Sequence, residues 1–138
     1  MIESPVYPNI ISWNTTKRCN LHCKHCYLDS SELTDVSKGE LSTEEGLRFL
    51  DELAKLAPGA MLVLTGGEPL LRNDIFELAS HATDLSLNVV VGSNGTLLDN
   101  DKAKKLVKSG VRGIGISLDS LDADKHDHFR GLSGAWEN

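Results

Sequence analysis

The chain holds three cysteines, and all of them fall within the stretch "CNLHCKHC": Cys19, Cys23 and Cys26. An odd number cannot all be joined in disulfides. Three is also one short of the four ligands that close a structural zinc site. The Cys23–Cys26 pair is a CxxC, which suits half of a zinc site or a redox dithiol. A dithiol leaves Cys19 without a purpose. A closed Cys3His zinc site needs His22 or His25 as its fourth ligand. A third reading makes use of the shortage itself. Thiolates crowded into a short loop bind [4Fe–4S] clusters, and four irons ordinarily take four thiolates. Three leave one iron with an open position, much as a catalytic zinc keeps one for its substrate.

Such a loop must be carried by regular elements, and the flanking sequence supplies them. Asn9 to Asn14 reads as a first strand, followed by a long polar loop over residues 15–40. Ser42 and Glu45 form an S-x-x-E capping box that opens a helix with Gly46, Leu47, Leu50, Leu53, Ala54 and Ala57 on one face; Pro58-Gly59 ends it. "AMLVLTG" is short, apolar on both faces and suited to a buried parallel strand. Asn73 is placed to cap a second helix with Ile75, Leu78, Ala79 and Ala82 inward, and "LNVVVGS" is a third strand. Asp99 caps a third helix bearing Ala103, Leu106 and Val107, stopped by Gly110. "VRGIGISLD" is a fourth strand, and "GLSGAWEN" reads as the opening of another helix. Alternation of this kind predicts an α/β fold, a parallel sheet with helices outside.

Polar clusters follow every strand: "NTTKRC", then Thr65-Gly66-Gly67-Glu68-Pro69, then Ser93-Asn94-Gly95, then Ser117-Leu118-Asp119. In a parallel sheet these ends share one face, where such folds build their sites. Four βα units are too few for an eight-stranded barrel of about 250 residues. The 138 residues are therefore expected to be the N-terminal piece of something longer, with an unpaired last strand.

The remaining composition excludes more than it assigns. A net charge of −6 gives no electrostatic case for nucleic acid or an anionic membrane. The longest apolar run, Ala60 to Leu64, is too short to span a bilayer. "MIESPVYP" has neither the basic start nor the apolar stretch of a signal peptide, and clustered thiols suit a reducing compartment, so a cytoplasmic location is expected.

The CxxxCxxC of "CNLHCKHC" resembles the cluster motif of the radical S-adenosylmethionine (SAM) superfamily. Further segments follow in that family's order, each at a strand end. "GGEP" resembles the segment that binds the methionyl amino group. "SNG" and "SLDS" resemble contacts to the ribose and carboxylate of SAM. "HDHFRG" resembles a stretch whose arginine faces that carboxylate. The resemblance runs from about Ile10 to Trp136, with one departure: the family's commonest pattern has an aromatic residue before the last cysteine, where this chain has His25.

The resemblance implies the N-terminal part of a partial (β/α)6 TIM-like barrel over residues 1–138. It implies that Cys19, Cys23 and Cys26 ligate a [4Fe–4S] cluster whose fourth iron takes SAM, and that SAM is reductively cleaved to a 5′-deoxyadenosyl radical that removes hydrogen from a substrate. The cofactor-binding set it implies is Gly66, Gly67, Glu68, Pro69, Ser93, Asn94, Ser117, Asp119, Arg130 and His25. Glu68 is expected to face the ammonium group. Lys17, Arg18 and Lys24 read as solvated loop charges, His126 and His128 as surface residues, His81 as structural and Trp13 as core. Within the family the segments look most like proteins of heme d1 or alternative heme biosynthesis. They are also similar to peptide-modifying maturases of the SPASM type, which carry extra clusters. A tetrapyrrole or peptide substrate and an electron donor such as a flavodoxin or ferredoxin follow from that likeness. The rival from another class is a non-enzymatic zinc-binding module.

Overall fold

The computed structural model describes residues 7–28 and 39–138; residues 29–38, part of the expected loop, and residues 1–6 lie outside the described residues. Strands β1 (Ile10–Thr16), β2 (Met61–Gly66), β3 (Asn88–Ser93) and β4 (Gly113–Ile116) form one parallel sheet in the order β1-β2-β3-β4. Helices α1 (Thr43–Leu56), α2 (Ile75–Asp84) and α3 (Asn100–Lys108) connect them, a 3-10 turn spans Pro69–Leu71, and α4 (Ala123–Arg130) follows β4.

Register explains the core. Ile11, Leu62 and Val89 lie side by side across the sheet, and so do Trp13, Leu64, Val91 and Ile114. These rows pack with Leu50 and Leu53 of α1 and Ile75, Leu78 and Ala82 of α2. Trp13 joins the core from β1, its ring edge-on to Phe49 at 5.0 Å. The opposite sheet face is different in kind. Ser12 and Asn14 are exposed there, and Thr65 and Gly92 are half-buried and small. Val63 and Val90 keep the middle of that face apolar, as expected of β2, and the small residues Thr65 and Gly92 stand toward its carboxyl end.

The α1 capping box forms as its spacing dictates: Glu45 N–H donates to Ser42 Oγ at 3.2 Å, and Ser42 N–H donates to Glu45 Oε2 at 2.8 Å. The cap of α2 is a correction. It is Asp74, not Asn73, and its side chain makes no cap hydrogen bond. The Asp74 carboxylate instead grips Arg72 at 2.6 and 2.9 Å and accepts from Thr43 Oγ1 at 2.7 Å. Arg72 is only 5% exposed. It also donates to the carbonyls of Thr15 (2.7 Å) and Leu41 (2.8 Å), and it lies over the Trp13 ring. One guanidinium therefore ties the end of β1, the entry to α1 and the start of α2 together.

Three further readings change at the C-terminal end. Val107 is 75% exposed, because only Leu106 of α3 turns fully inward. β4 is limited to Gly113–Ile116, and the "GLSGAWEN" segment forms turns. Those turns are held by Asp127, whose carboxylate accepts from the N–H of Gly134 and of Trp136 (2.9 Å). Before them stands α4, which has no apolar stripe. Its buried residues are His126 and Arg130. Asp122 caps it by accepting from Lys125 N–H, and Gly131 ends it in the left-handed region at φ 72°.

Removing Arg72 takes the charge partner from a largely buried carboxylate and a donor from each of two carbonyls, so Arg72→Ala is expected to cost about 3 kcal/mol in chemical denaturation. Burial raises the Asp74 pKa, but hydrogen bonds from Arg72 and Thr43 and the Arg72 charge outweigh it and hold the carboxyl below its ordinary 3.8. A carboxylate depressed in the fold contributes stability above its unfolded pKa and loses it as pH falls through the folded value. The stability gap between wild type and Asp74→Asn should be full near neutrality and shrink as pH drops below 3.8. A gap that stays constant on acidification contradicts this account.

Candidate functional site

The cysteine loop begins where β1 ends, and it is laid directly against the turn after β2. Gly67 N–H donates to the Thr16 carbonyl at 2.8 Å, and Glu68 N–H donates to the Arg18 carbonyl at 2.7 Å. The approach leaves no space for side chains. A Cβ on Gly67 would stand 2.1 Å from the Arg18 carbonyl oxygen, and one on Gly66, at φ 126°, 2.4 Å from that of Thr16. The pair of glycines is thus required by loop-to-loop contact as well as by any ligand. Thr15 Oγ1 adds a bond to the Thr65 carbonyl at 3.0 Å. Glu40 receives Thr16 Oγ1 at 2.5 Å and Lys17 N–H at 3.0 Å.

Glu68 is fully buried. Its carboxylate accepts from the Ser93 hydroxyl (3.0 Å to each oxygen), Asn94 N–H (2.8 Å) and Leu70 N–H (3.1 Å). Burial pushes its pKa up, against those hydrogen bonds. The side chain braces the turn after β3 and caps the 3-10 turn, where Pro69 sits at the first position. Neither Glu68 nor Pro69 lines the cavity described below.

Cys19 is buried, Cys23 half-buried and Cys26 exposed at the rim. Donors are aimed at the two inner sulfurs. Cys19 Sγ accepts from Leu21 N–H at 3.4 Å and from the Asn94 amide at 3.8 Å. That amide also donates to Asn20 Oδ1 at 2.9 Å, and Asn94 Oδ1 accepts from Thr96, so its orientation is fixed. Cys23 Sγ accepts from Arg130 Nη1 at 3.7 Å. Burial pushes the Cys19 thiol up, opposed by the Leu21 and Asn94 hydrogen bonds.

The end of α4 clasps the same loop. Lys24 N–H donates to the Phe129 carbonyl at 3.0 Å, the Lys24 ammonium meets His128 Nε2, and His25 stacks on the Phe129 ring at 4.8 Å. A Cβ on Gly131 would lie 2.6 Å from the His22 carbonyl oxygen. Asp119 stands 2.6 Å from Arg130 Nε in an ion pair. The Nε–H makes no well-directed hydrogen bond, so this contact is a pairing of charges. His126 corrects the expectation of a surface residue: it is 3% exposed, and its Nδ1 accepts from Asp119 N–H at 3.3 Å. His128 is exposed, and His81 pairs with Asp51 at 2.8 Å between α2 and α1.

A cavity of about 230 Å3 opens between these parts. Its lining includes the three cysteines and His25, Gly66 and Gly67, and Ser93, Asn94, Ser117 and Arg130. Ser117 is set there by its N–H, which donates to the Ser93 carbonyl at 3.0 Å. Asp119 is not part of the lining. Thr65, which the sequence already places in the polar end of the second strand, is part of it, and so is Gly92, which the sequence reading did not single out. Both point to the open face of the sheet, and strand alternation about the core residue Leu64 and Val91 carried that signal.

The donor set fits a cluster. Among the described residues, no three His, Cys, Asp or Glu side chains are gathered to hold a single metal ion. In a cluster each thiolate takes a different iron, and hydrogen bonds to the sulfurs set its potential. Those hydrogen bonds are in place here at Cys19 and Cys23.

Known proteins share the sequence and the fold of this chain. A model described as "Radical SAM superfamily" matches residues 13–137. An AdoMet-dependent heme synthase of Methanosarcina barkeri is 43% identical over 99% of this chain and 38% of its own length. A pre-heme d1 synthase of Dinoroseobacter shibae is 40% identical over 93% of this chain and 31% of its own. The chain thus spans about a third of the length of these curated relatives. Among solved structures, SuiB of Streptococcus suis bound to the precursor peptide SuiA superposes with a TM-score of 0.75 at 21% identity, over 93% of this chain and 28% of that one; the likeness is one of fold. The match across nearly the whole chain settles the family: the chain belongs to the radical SAM superfamily.

Proposed function

We propose that this chain is the cluster-bearing part of a radical SAM enzyme acting in tetrapyrrole synthesis. The observation that carries the reading is the cavity itself: three cysteines, a glycine pair and the Ser93–Asn94 turn line one space at the strand ends. When bound, a [4Fe–4S] cluster would supply the electron that cleaves SAM, drawn from a donor such as a flavodoxin or ferredoxin.

The chain's own residues do the rest. Cys19, Cys23 and Cys26 would hold the cluster. Gly66 and Gly67 expose backbone to the cavity, where an ammonium group finds carbonyl acceptors without steric opposition. Ser93, Asn94 and Ser117 offer hydroxyl and amide groups to the hydroxyls and carboxylate of SAM. Glu68 acts from behind by holding Ser93 and Asn94 in place. His25, packed on Phe129, presents a ring beside the last cysteine.

The tetrapyrrole assignment draws on the two synthase relatives, each about 40% identical across nearly the whole chain. A reducing compartment such as the cytoplasm suits the thiols. Among the described residues no helix is long and apolar enough to cross a membrane.

Anaerobic reconstitution with iron and sulfide should give a brown protein whose visible spectrum changes on adding SAM. A colourless protein that instead retains zinc contradicts the reading. Cys23→Ala should abolish SAM cleavage; turnover at the wild-type rate removes that ligand. Glu68→Ala should leave the cluster in place and weaken SAM binding by about tenfold, the order expected when a buried hydrogen-bond network loses its acceptor. An unchanged SAM affinity, measured by titration, removes Glu68 from the site.

A further inference from the structure

The likeness to relatives expects Arg130 to face the carboxylate of SAM, but the guanidinium is already engaged. Arg130 is 8% exposed, and a buried cation needs partners. It has two. Asp119 Oδ2 stands 2.6 Å from Nε, and Cys23 Sγ accepts from Nη1 at 3.7 Å. The backbone leaves it little freedom to turn elsewhere. Arg130 is the last residue of α4, Phe129 beside it accepts Lys24 N–H, and Gly131 after it lies against His22 with no room for a Cβ. Asp119 is fixed in turn, since its N–H donates to the buried His126.

We infer that Arg130 is a positioning residue for Cys23, and that its guanidinium, charge-paired with Asp119, raises the reduction potential of the cluster held by this loop. The inference rests on the cluster reading above. Its physics is electrostatic. Reduction adds one negative charge to a centre already ligated by three thiolates. A cation touching one of those sulfurs stabilises the reduced state more than the oxidised one. The site is shielded enough for the effect to survive, because Arg130 is nearly buried and Cys23 half-buried. Asp119 works in the opposite direction: it orients the guanidinium but offsets part of its charge.

The test is an EPR-monitored redox titration of the reconstituted protein without SAM, which separates tuning of the cluster from binding of the carboxylate. Arg130→Gln should shift the reduction equilibrium about tenfold against the reduced form, about 59 mV more negative for a one-electron couple. Arg130→Lys, which keeps the charge but not the fork, should fall between. Asp119→Asn keeps the side chain's size and removes the opposing charge, so it should shift the potential the other way. An Arg130→Gln potential equal to wild type, with only SAM affinity lowered, overturns the inference and returns the arginine to the carboxylate. If Arg130→Gln does not take up iron, Asp119→Asn decides: no shift, or a shift to more negative potential, overturns it. A wild-type protein that holds no iron and no labile sulfide overturns the cluster reading itself, a failure distinct from either.

Discussion

The structure depends on two backbone hydrogen bonds between loops that are far apart in sequence. The carbonyls of Thr16 and Arg18 receive the N–H groups of Gly67 and Glu68. They continue the β1–β2 pairing past the point where the strands themselves end, and so carry Cys19 to the sheet's carboxyl edge. Everything about the double glycine follows from that contact, because any side chain there would meet a carbonyl oxygen at little more than 2 Å. The opposite side of the loop is clasped by α4 through Phe129, Arg130 and Gly131. The cysteine loop is therefore held from both sides by the chain's own atoms.

The second theme is how charge is distributed around the sulfurs. Burial is what chiefly raises the Cys19 pKa, and the buried carboxylate of Glu68 adds a smaller push through its charge. That carboxylate is tolerated because a hydroxyl and two N–H groups are directed at it. The thiols are met by an N–H and an amide at Cys19 and by a guanidinium at Cys23. Negative charge deep in the site is balanced by fixed dipoles, and nearer the rim by a full cation. Such an arrangement suits a centre that must accept an electron without water reorganising around it.

What could be read in the sequence was local or periodic. The Ser42–Glu45 box, the core faces of α1 and α2 and the polar strand ends all follow from neighbours within a few residues. The cysteine spacing and the glycine pair were legible for the same reason. Arg72 was not, since its partners at Thr15 and Leu41 are brought to it only by the completed fold. Nor was α4, whose buried face is made of a histidine and an arginine in place of aliphatic residues. The direction of the Glu68 side chain was hidden likewise. Its importance is visible in "GGEP", but its partners at Ser93 and Asn94 arrive from the next strand.

The central claim is that three fixed thiolates leave one iron of a cluster bare for a ligand to occupy. Mössbauer spectroscopy of protein reconstituted with iron-57 tests it most directly. The account predicts one iron site distinct from the others, whose signal alone moves when SAM is added. Equivalent irons that do not respond to SAM, or a protein that takes up a single metal ion and no sulfide, would contradict it.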